Sequence, residues 1–164
     1  MKKFFRFILA LAVATLAVWL WLVLFPSPEK VIRSQFEKLA KDVSVRPGEG
    51  YLPRMIGAQK VGGFFSTNVK INIDVPGHQQ HATMNRDEIV QAVMAANSAG
   101  GLTVRFPDIN VTVSADHESA QVDITVEARV PGEQDTMVQA IRFTLRKIDG
   151  KWLITRAQTV RTFS

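Results

Sequence analysis

The sequence predicts an α+β domain behind one N-terminal membrane-spanning segment, and three observations carry that prediction. An uncharged apolar run opens the chain, helical apolar stripes flank a strand pair in the first two thirds, and period-2 alternation fills the rest. At 164 residues the chain has the length of one domain, and 46% apolar residues is ordinary for a globular protein.

After Lys2, Lys3 and Arg6, residues 7–25 (FILALAVATLAVWLWLVLF) contain no charge and only Thr15 as a polar residue. A run of about 19 residues spans roughly 28 Å as a helix, close to the hydrocarbon thickness of a bilayer. Trp19 and Trp21 lie toward its far end, where amphipathic rings favour the interface. A cleaved signal peptide shares the basic start and the apolar run, but it ends in small residues. The bulky Leu22-Val23-Leu24-Phe25-Pro26 favours an uncleaved anchor.

Three cations precede the run and none follows at once (Pro26-Ser27-Pro28-Glu29). The positive-inside rule then puts residues 1–6 in the cytoplasm, 7–25 in the inner (plasma) membrane as a single pass, and the domain, 27–164, in the periplasm or outside the cell. With no cysteine, disulfides, Cys-ligated zinc and thiol catalysis are excluded. The net charge of +5 belongs largely to the anchor's flank: without Lys2, Lys3 and Arg6, 17 basic residues face 15 acidic ones. That balance describes a solvated surface and argues against a nucleic-acid partner.

Ser27 before Pro28 reads as an N-cap with proline at the first helical position. Ile32, Phe36, Leu39 and Val43 follow at helical spacing, an amphipathic stripe. Seven glycines and prolines between Arg46 and Phe65 predict loops around one short helix, near Leu52 to Ala58. Val69, Ile71, Ile73 and Val75 alternate with polar residues in a half-buried strand, Pro76-Gly77 turns the chain, and His81 to Met84 reads as a short return strand. Asn85 with Glu88 three residues later is a capping box, opening a helix with Ile89, Val90, Val93 and Met94 inward and Gly100-Gly101 as its stop.

Leu102 to Val113 reads as a long strand that Pro107-Asp108 interrupts with a bulge. Val122 to Val130 alternates in the next strand, and Met137, Gln139, Ile141, Phe143 and Leu145 share one face of a third. Asp149-Gly150 is a two-residue hairpin signal, and Lys151 to Phe163 reads as the closing strand.

Helix, short helix, two strands, helix, then four antiparallel strands is an order that resembles the nuclear transport factor 2-like fold, shared by ketosteroid isomerase, scytalone dehydratase and the SnoaL-like polyketide cyclases. The resemblance covers Ser27 to Phe163. Its most specific piece is Lys147-Ile148-Asp149-Gly150-Lys151-Trp152-Leu153-Ile154, similar to the family's closing hairpin, in which a Trp just past a D-G turn enters the core. It implies a cone: a curved antiparallel sheet packed against about three helices, with a pocket between them. The candidate lining residues are Phe36, Met55, Gln139, Phe143, Trp152, Arg156 and Gln158. Gln139 has the parity of Ile141 and Phe143, and Arg156 and Gln158 have the parity of Trp152 and Ile154. These polar residues either enter the pocket or reach water where the strands leave the core.

The resemblance does not extend to the isomerase's chemistry. Asp74-Val75-Pro76-Gly77 stands where those enzymes carry an acidic general base, but Asp74 shares the polar face of Lys70 and Asn72. Phe36 stands where they have a donor tyrosine, and Ile141 or Arg142 where they have a protonated aspartate. No catalytic residue is assigned. His78 and His81 fall short of a metal ligand set, His117 reads as a hairpin-loop residue, and neither a metal nor a cofactor is expected. No nucleophile elbow or phosphate loop is present. Arg142, Arg146, Lys147, Lys151 and Arg161 form either a solvated face or a basic stripe toward anionic lipid.

The expected function is a non-enzymatic module of the cell envelope that binds a small apolar ligand or a protein. Its partners would be the bilayer through residues 7–25, and an envelope protein, a second copy of itself, or the ligand. One anchor with one such domain resembles the layout of an inner-membrane scaffold subunit of type IV secretion systems. The alternative is a SnoaL-like enzyme of isomerase, cyclase or hydrolase type, acting on a small apolar substrate with Gln139, Arg156 or Gln158.

Overall fold

The computed structural model describes residues 12–16, 27–46, 48–75, 78–98, 102–129 and 135–160; of residues 74, 75 and 78–80 it describes the backbone alone. Residues 12–16 are helical, and the rest of the expected anchor lies outside the described residues, as do Pro76-Gly77, Gly100-Gly101 and Arg161. Among the described residues, no helix is long and apolar enough to cross a membrane.

Helix α1 (Pro28–Val43) starts where Ser27 and Pro28 predict, although the Ser27 side chain makes no capping bond and its carbonyl alone accepts, from Val31 N–H at 3.1 Å. Its stripe is buried as spaced: Ile32 and Phe36 are wholly enclosed and Leu39 nearly so. Helix α2 (Tyr51–Gly62) is longer than expected and runs through two of the glycines read as breaks. Those glycines are close-approach points. A Cβ on Gly57 would stand 3.1 Å from the Asp42 carbonyl, and one on Gly62 would stand 2.6 Å from Val90 Cγ2. Glycine here lets α2 pack tightly against its neighbours, at the cost of roughly 1 kcal/mol of helix propensity.

Strands β1 (Phe65–Val75) and β2 (His78–Asn85) pair as an antiparallel hairpin. Asn85 then caps α3 (Arg86–Asn97) with the expected reciprocal bonds: Glu88 N–H to Asn85 Oδ1 at 2.9 Å, and Asn85 N–H to Glu88 Oε2 at 2.8 Å. Ser98 closes the helix, with its N–H and its hydroxyl both bonded to the Met94 carbonyl.

The expected strand across Leu102 to Val113 is two, β3 (Thr103–Arg105) and β4 (Ile109–Val113), both pairing with β5 (Ser119–Arg129). Arg105 faces Glu127 and Ile109 faces Ile124, so four steps on one side match three on the other. Phe106-Pro107-Asp108 thus adds the one extra residue that a bulge adds. Phe106 uses the break to turn toward α1, its ring 6.3 Å from that of Phe36.

Strands β6 (Met137–Ile148) and β7 (Lys151–Thr159) complete the sheet. Asp149 and Gly150 both have positive φ, 50° and 75°, the type I′ geometry that a right-twisted hairpin needs. The order is β2-β1-β7-β6-β5-β3, with β4 also on β5. The sheet is not wholly antiparallel as expected: β1 and β7 run parallel. Everything between them is one long crossover, which returns the chain to β1 in the same direction.

Candidate functional site

The face of the sheet under α1 is built in cross-strand rows. Ile154, Leu145, Ala120 and Val113 form the innermost; Ile71, Ala157, Phe143, Val122 and Val111 the next; Thr159, Ile141, Ile124 and Ile109 a third. Val126 and Gln139 face each other beyond these, and Val104, Ala128 and Met137 lie outermost.

Burial falls along these rows on β5 and β6, although Val104 in the outermost row, bonded to Ser44, stays buried. On β6, Leu145 is fully enclosed and Phe143 is 8% exposed, Ile141 and Gln139 are half-buried, and Met137 is 71% exposed. On β5, Ala120, Val122 and Ile124 are buried, while Val126 and Ala128 are half-buried. On β1, Val69 is enclosed and Ile71 and Ile73 are half-buried. The apolar face is therefore shut at the β6–β7 turn and open along β5 and β6 at the other end. Gln139 sits in that open end, its Nε2 donating to the Ala140 carbonyl at 3.1 Å.

Phe36, Phe143 and Trp152 join one core cluster and form the floor. The rings of Phe36 and Phe143 lie 5.3 Å apart. Trp152 is 7% exposed, and its carbonyl accepts from Gln35 Nε2 at 2.9 Å, which ties α1 to the closing hairpin. Met55 is half-buried on α2.

Arg156 and Gln158 are elsewhere. Leu145 faces Ile154, but the next residue of β6, Thr144, faces Arg156, so Thr155 is an extra residue on β7. This bulge reverses the alternation beyond Ile154. Ala157 and Thr159 turn to the inner face, and Arg156 and Gln158 go to the outer one. There Arg156 lies between Lys70 and Thr144, and Gln158 between Asn72 and Arg142. Thr155 Oγ1 donates to the Thr144 carbonyl at 3.1 Å and fastens the bulge.

Two polar residues that the sequence reading passed over meet between α2 and α3, Asn97 buried and Arg54 half-buried. Asn97 is 1% exposed, and neither its Oδ1 nor its Nδ2 has a protein partner. Arg54 Nη1 donates to the Asn97 carbonyl at 3.4 Å, while its Nε is buried without a partner. The signal was legible: Asn97 follows Ile89 and Val93 at spacings of four, on the inward stripe of α3.

The remaining chemistry-bearing residues stand outside this interior. His81 is exposed, its Nδ1 3.2 Å from Asn72 Oδ1, and the side chains of Asp74 and His78 lie outside the described residues. His117 stands in the β4–β5 turn with φ 55°. Beside it, the Ser114 hydroxyl and then the Glu118 N–H donate to Asp116 and hold its carboxyl below the usual range. Arg142 is paired with Asp123 at 2.6 Å on the outer face, so the basic stripe is partly neutralised. Among the described residues, no three His, Asp or Glu side chains gather where they could hold a metal ion.

No family model matches the chain, and no curated protein matches it. Solved structures do. A Pseudomonas putida nuclear transport factor 2-like protein of unknown function aligns with a TM-score of 0.60 at 10% identity, over 83% of this chain and 87% of that one. A Novosphingobium aromaticivorans protein assigned provisionally as an aromatic ring hydroxylase aligns with a TM-score of 0.62 at 13% identity, over 83% and 90%. From the same organism, a provisional scytalone dehydratase aligns with a TM-score of 0.52 at 17% identity, over 82% and 87%. At such identities the likeness speaks for the fold alone. The chain has the nuclear transport factor 2-like fold, a curved mixed sheet closed by helices into a cone.

Proposed function

We propose that the protein is a membrane-anchored, extracytoplasmic module whose cone holds a small apolar ligand. The observation that carries this reading is the row-by-row opening of an apolar face, from the enclosed Leu145 to the exposed Met137, with Gln139 as the polar group at the rim. An apolar face that opens in this way, with the Gln139 amide at its end, suits an elongated apolar molecule bearing one carbonyl or hydroxyl. The anchor reading is supported by the uncharged run of residues 7–25 and the three cations before it.

Native mass spectrometry of the full chain, taken from its own membranes into lipid nanodiscs, tests the ligand. A bound small molecule should appear, and it should be lost from Ile141→Arg, which sets a guanidinium in the half-buried row. A bare mass in both proteins sinks the reading. Extraction of the membranes at alkaline pH tests the anchor separately, since an integral chain stays in the pellet.

The enzyme reading is second, and the enclosed, unpartnered polar atoms of Asn97 and Arg54 favour it. Two structural relatives carry provisional enzyme assignments. Turnover that is abolished by Asn97→Ala while the fold persists would raise it above the first.

A further inference from the structure

A second concavity lies at the closed end of the cone, between the first turns of α1 and the β6–β7 hairpin. Its volume is about 590 Å³. Lys30, Lys38 and Lys151 line it, and Val31, Phe64 and Leu153 give it an apolar surface. No carboxylate lines it, and none of the three lysines is paired among the described residues, although Asp116 and Glu118 stand on the neighbouring β4–β5 turn. All three lysines are exposed, and Val31 is 39% exposed. The groove is therefore a cationic rim around apolar surface, and none of its lysines is ion-paired among the described residues.

Its place along the chain decides what it meets. Lys30 follows Phe25, the last residue of the apolar run, by five positions. Even fully extended, five residues reach at most about 18 Å. The first turn of α1 and the hairpin bonded to it through Gln35 and Trp152 are thus held at the membrane surface, if residues 7–25 anchor the chain. Phosphodiester headgroups flanked by acyl chains complement that surface in both charge and polarity.

We infer that this groove seats the headgroup of an anionic phospholipid, fixing the cone upright on the bilayer with its open end turned away. The inference rests on the anchor reading above, and the experiment separates the two. Because the chain has no cysteine, Ser34→Cys in the groove gives a single attachment point for an environment-sensitive fluorophore, and Met137→Cys at the open end gives a control.

The labelled full-length proteins are mixed with vesicles of phosphatidylcholine alone or of equimolar phosphatidylcholine and phosphatidylglycerol. Flotation with phosphatidylcholine alone reports the anchor. A blue shift at Ser34→Cys on the anionic vesicles only, absent at Met137→Cys, reports the groove. The shift should vanish in Lys30→Glu/Lys38→Glu/Lys151→Glu. It should also vanish in 1 M salt, where the screening length is about 3 Å.

Equal emission on the two vesicle types overturns the proposal, as does a shift that survives the triple variant. A chain that floats only with anionic vesicles, and loses that with the triple variant, keeps the groove and discards the anchor. Reversal of the shift by equimolar dissolved glycerol phosphate would make the site one for free phosphate and overturn the lipid assignment.

Discussion

Phe143 on β6 meets Phe36 on α1 with their ring centroids 5.3 Å apart and their planes tilted by 57°. This contact seats the first helix on the sheet at the floor of the cone. Tilted aromatic pairs add to simple burial, and Phe36 has no exposed surface. Phe36→Ala should therefore cost about 3–5 kcal/mol. Phe36→Tyr should cost about 1–3 kcal/mol, because its hydroxyl would be buried among Phe106 and Phe143. Thermal unfolding followed by circular dichroism at 222 nm measures both, and an unchanged Phe36→Tyr midpoint would reveal a polar group at the floor.

Arg156 stays outside the core because a bulge absorbs Thr155 as one extra residue of β7. Deleting Thr155 joins Arg156 directly to Ile154, so simple alternation keeps Arg156 outward opposite Thr144 and Ala157 inward opposite Phe143. No guanidinium is buried by the change, so the deletion variant should still fold, its stability in a urea titration shifted by about 1 kcal/mol. Arg156→Leu, at an exposed position, should shift stability by no more than about 0.5 kcal/mol. An unfolded deletion variant would show that β7 needs the extra twist that the bulge supplies.

These residues mark what the sequence could and could not say. Periodicity is a local property, and it located α1, the capping box at Asn85 and the closing hairpin, where each signal lies within a few residues. Arg156 and Gln158 were misplaced because parity counted from Trp152 assumes an unbroken strand, and Thr155 carries no mark of a bulge. The sequence predicts that α2 ends near Ala58, short of Gly62, because the neighbour that makes Gly62 a close-approach point, Val90, is distant in sequence. The parallel β1–β7 pairing was illegible for the same reason. Of the candidate lining residues, Phe36, Phe143 and Trp152 meet in the core cluster, and Gln139 is half-buried on the same face as Phe143.

Asn97 presents a buried amide with no protein partner on either polar atom. An unsatisfied buried amide costs about 1–3 kcal/mol, so Asn97→Leu, similar in volume, should raise the unfolding midpoint. If the midpoint falls instead, Asn97 is satisfied in solution by something that the leucine displaces. Nuclear magnetic resonance of its side-chain amide would then show slow exchange.

Asp116 is fully exposed, yet its carboxyl is held below the usual range, first by the Ser114 hydroxyl and then by the Glu118 N–H. A folded pKa below the unfolded one means that the ionised carboxylate favours the native turn. That contribution is present above the ordinary aspartate range, near about pH 3.9, and fades as pH falls through the lower folded value. Ser114→Ala should raise the Asp116 titration toward the ordinary range, followed by its carboxyl carbon resonance. At neutral pH the carboxyl is ionised in both proteins, and the contribution is present in full in the parent and reduced in the variant.

The parallel contact between β1 and β7 has a consequence for how the protein is made. The β1–β2 hairpin is made first, but the strand that joins it to the rest of the sheet is the last of the sheet's seven strands in chain order. Until then the nascent chain holds two half-sheets, β2-β1 and β6-β5 with β3 and β4, each with a bare edge where β7 will go. Strand β7 acts as a keystone, and its insertion is the step that commits the domain. A stop codon before Lys151 should leave both pieces to proteolysis, whereas substitutions within β2, at the sheet's outer margin, should leave the arch standing.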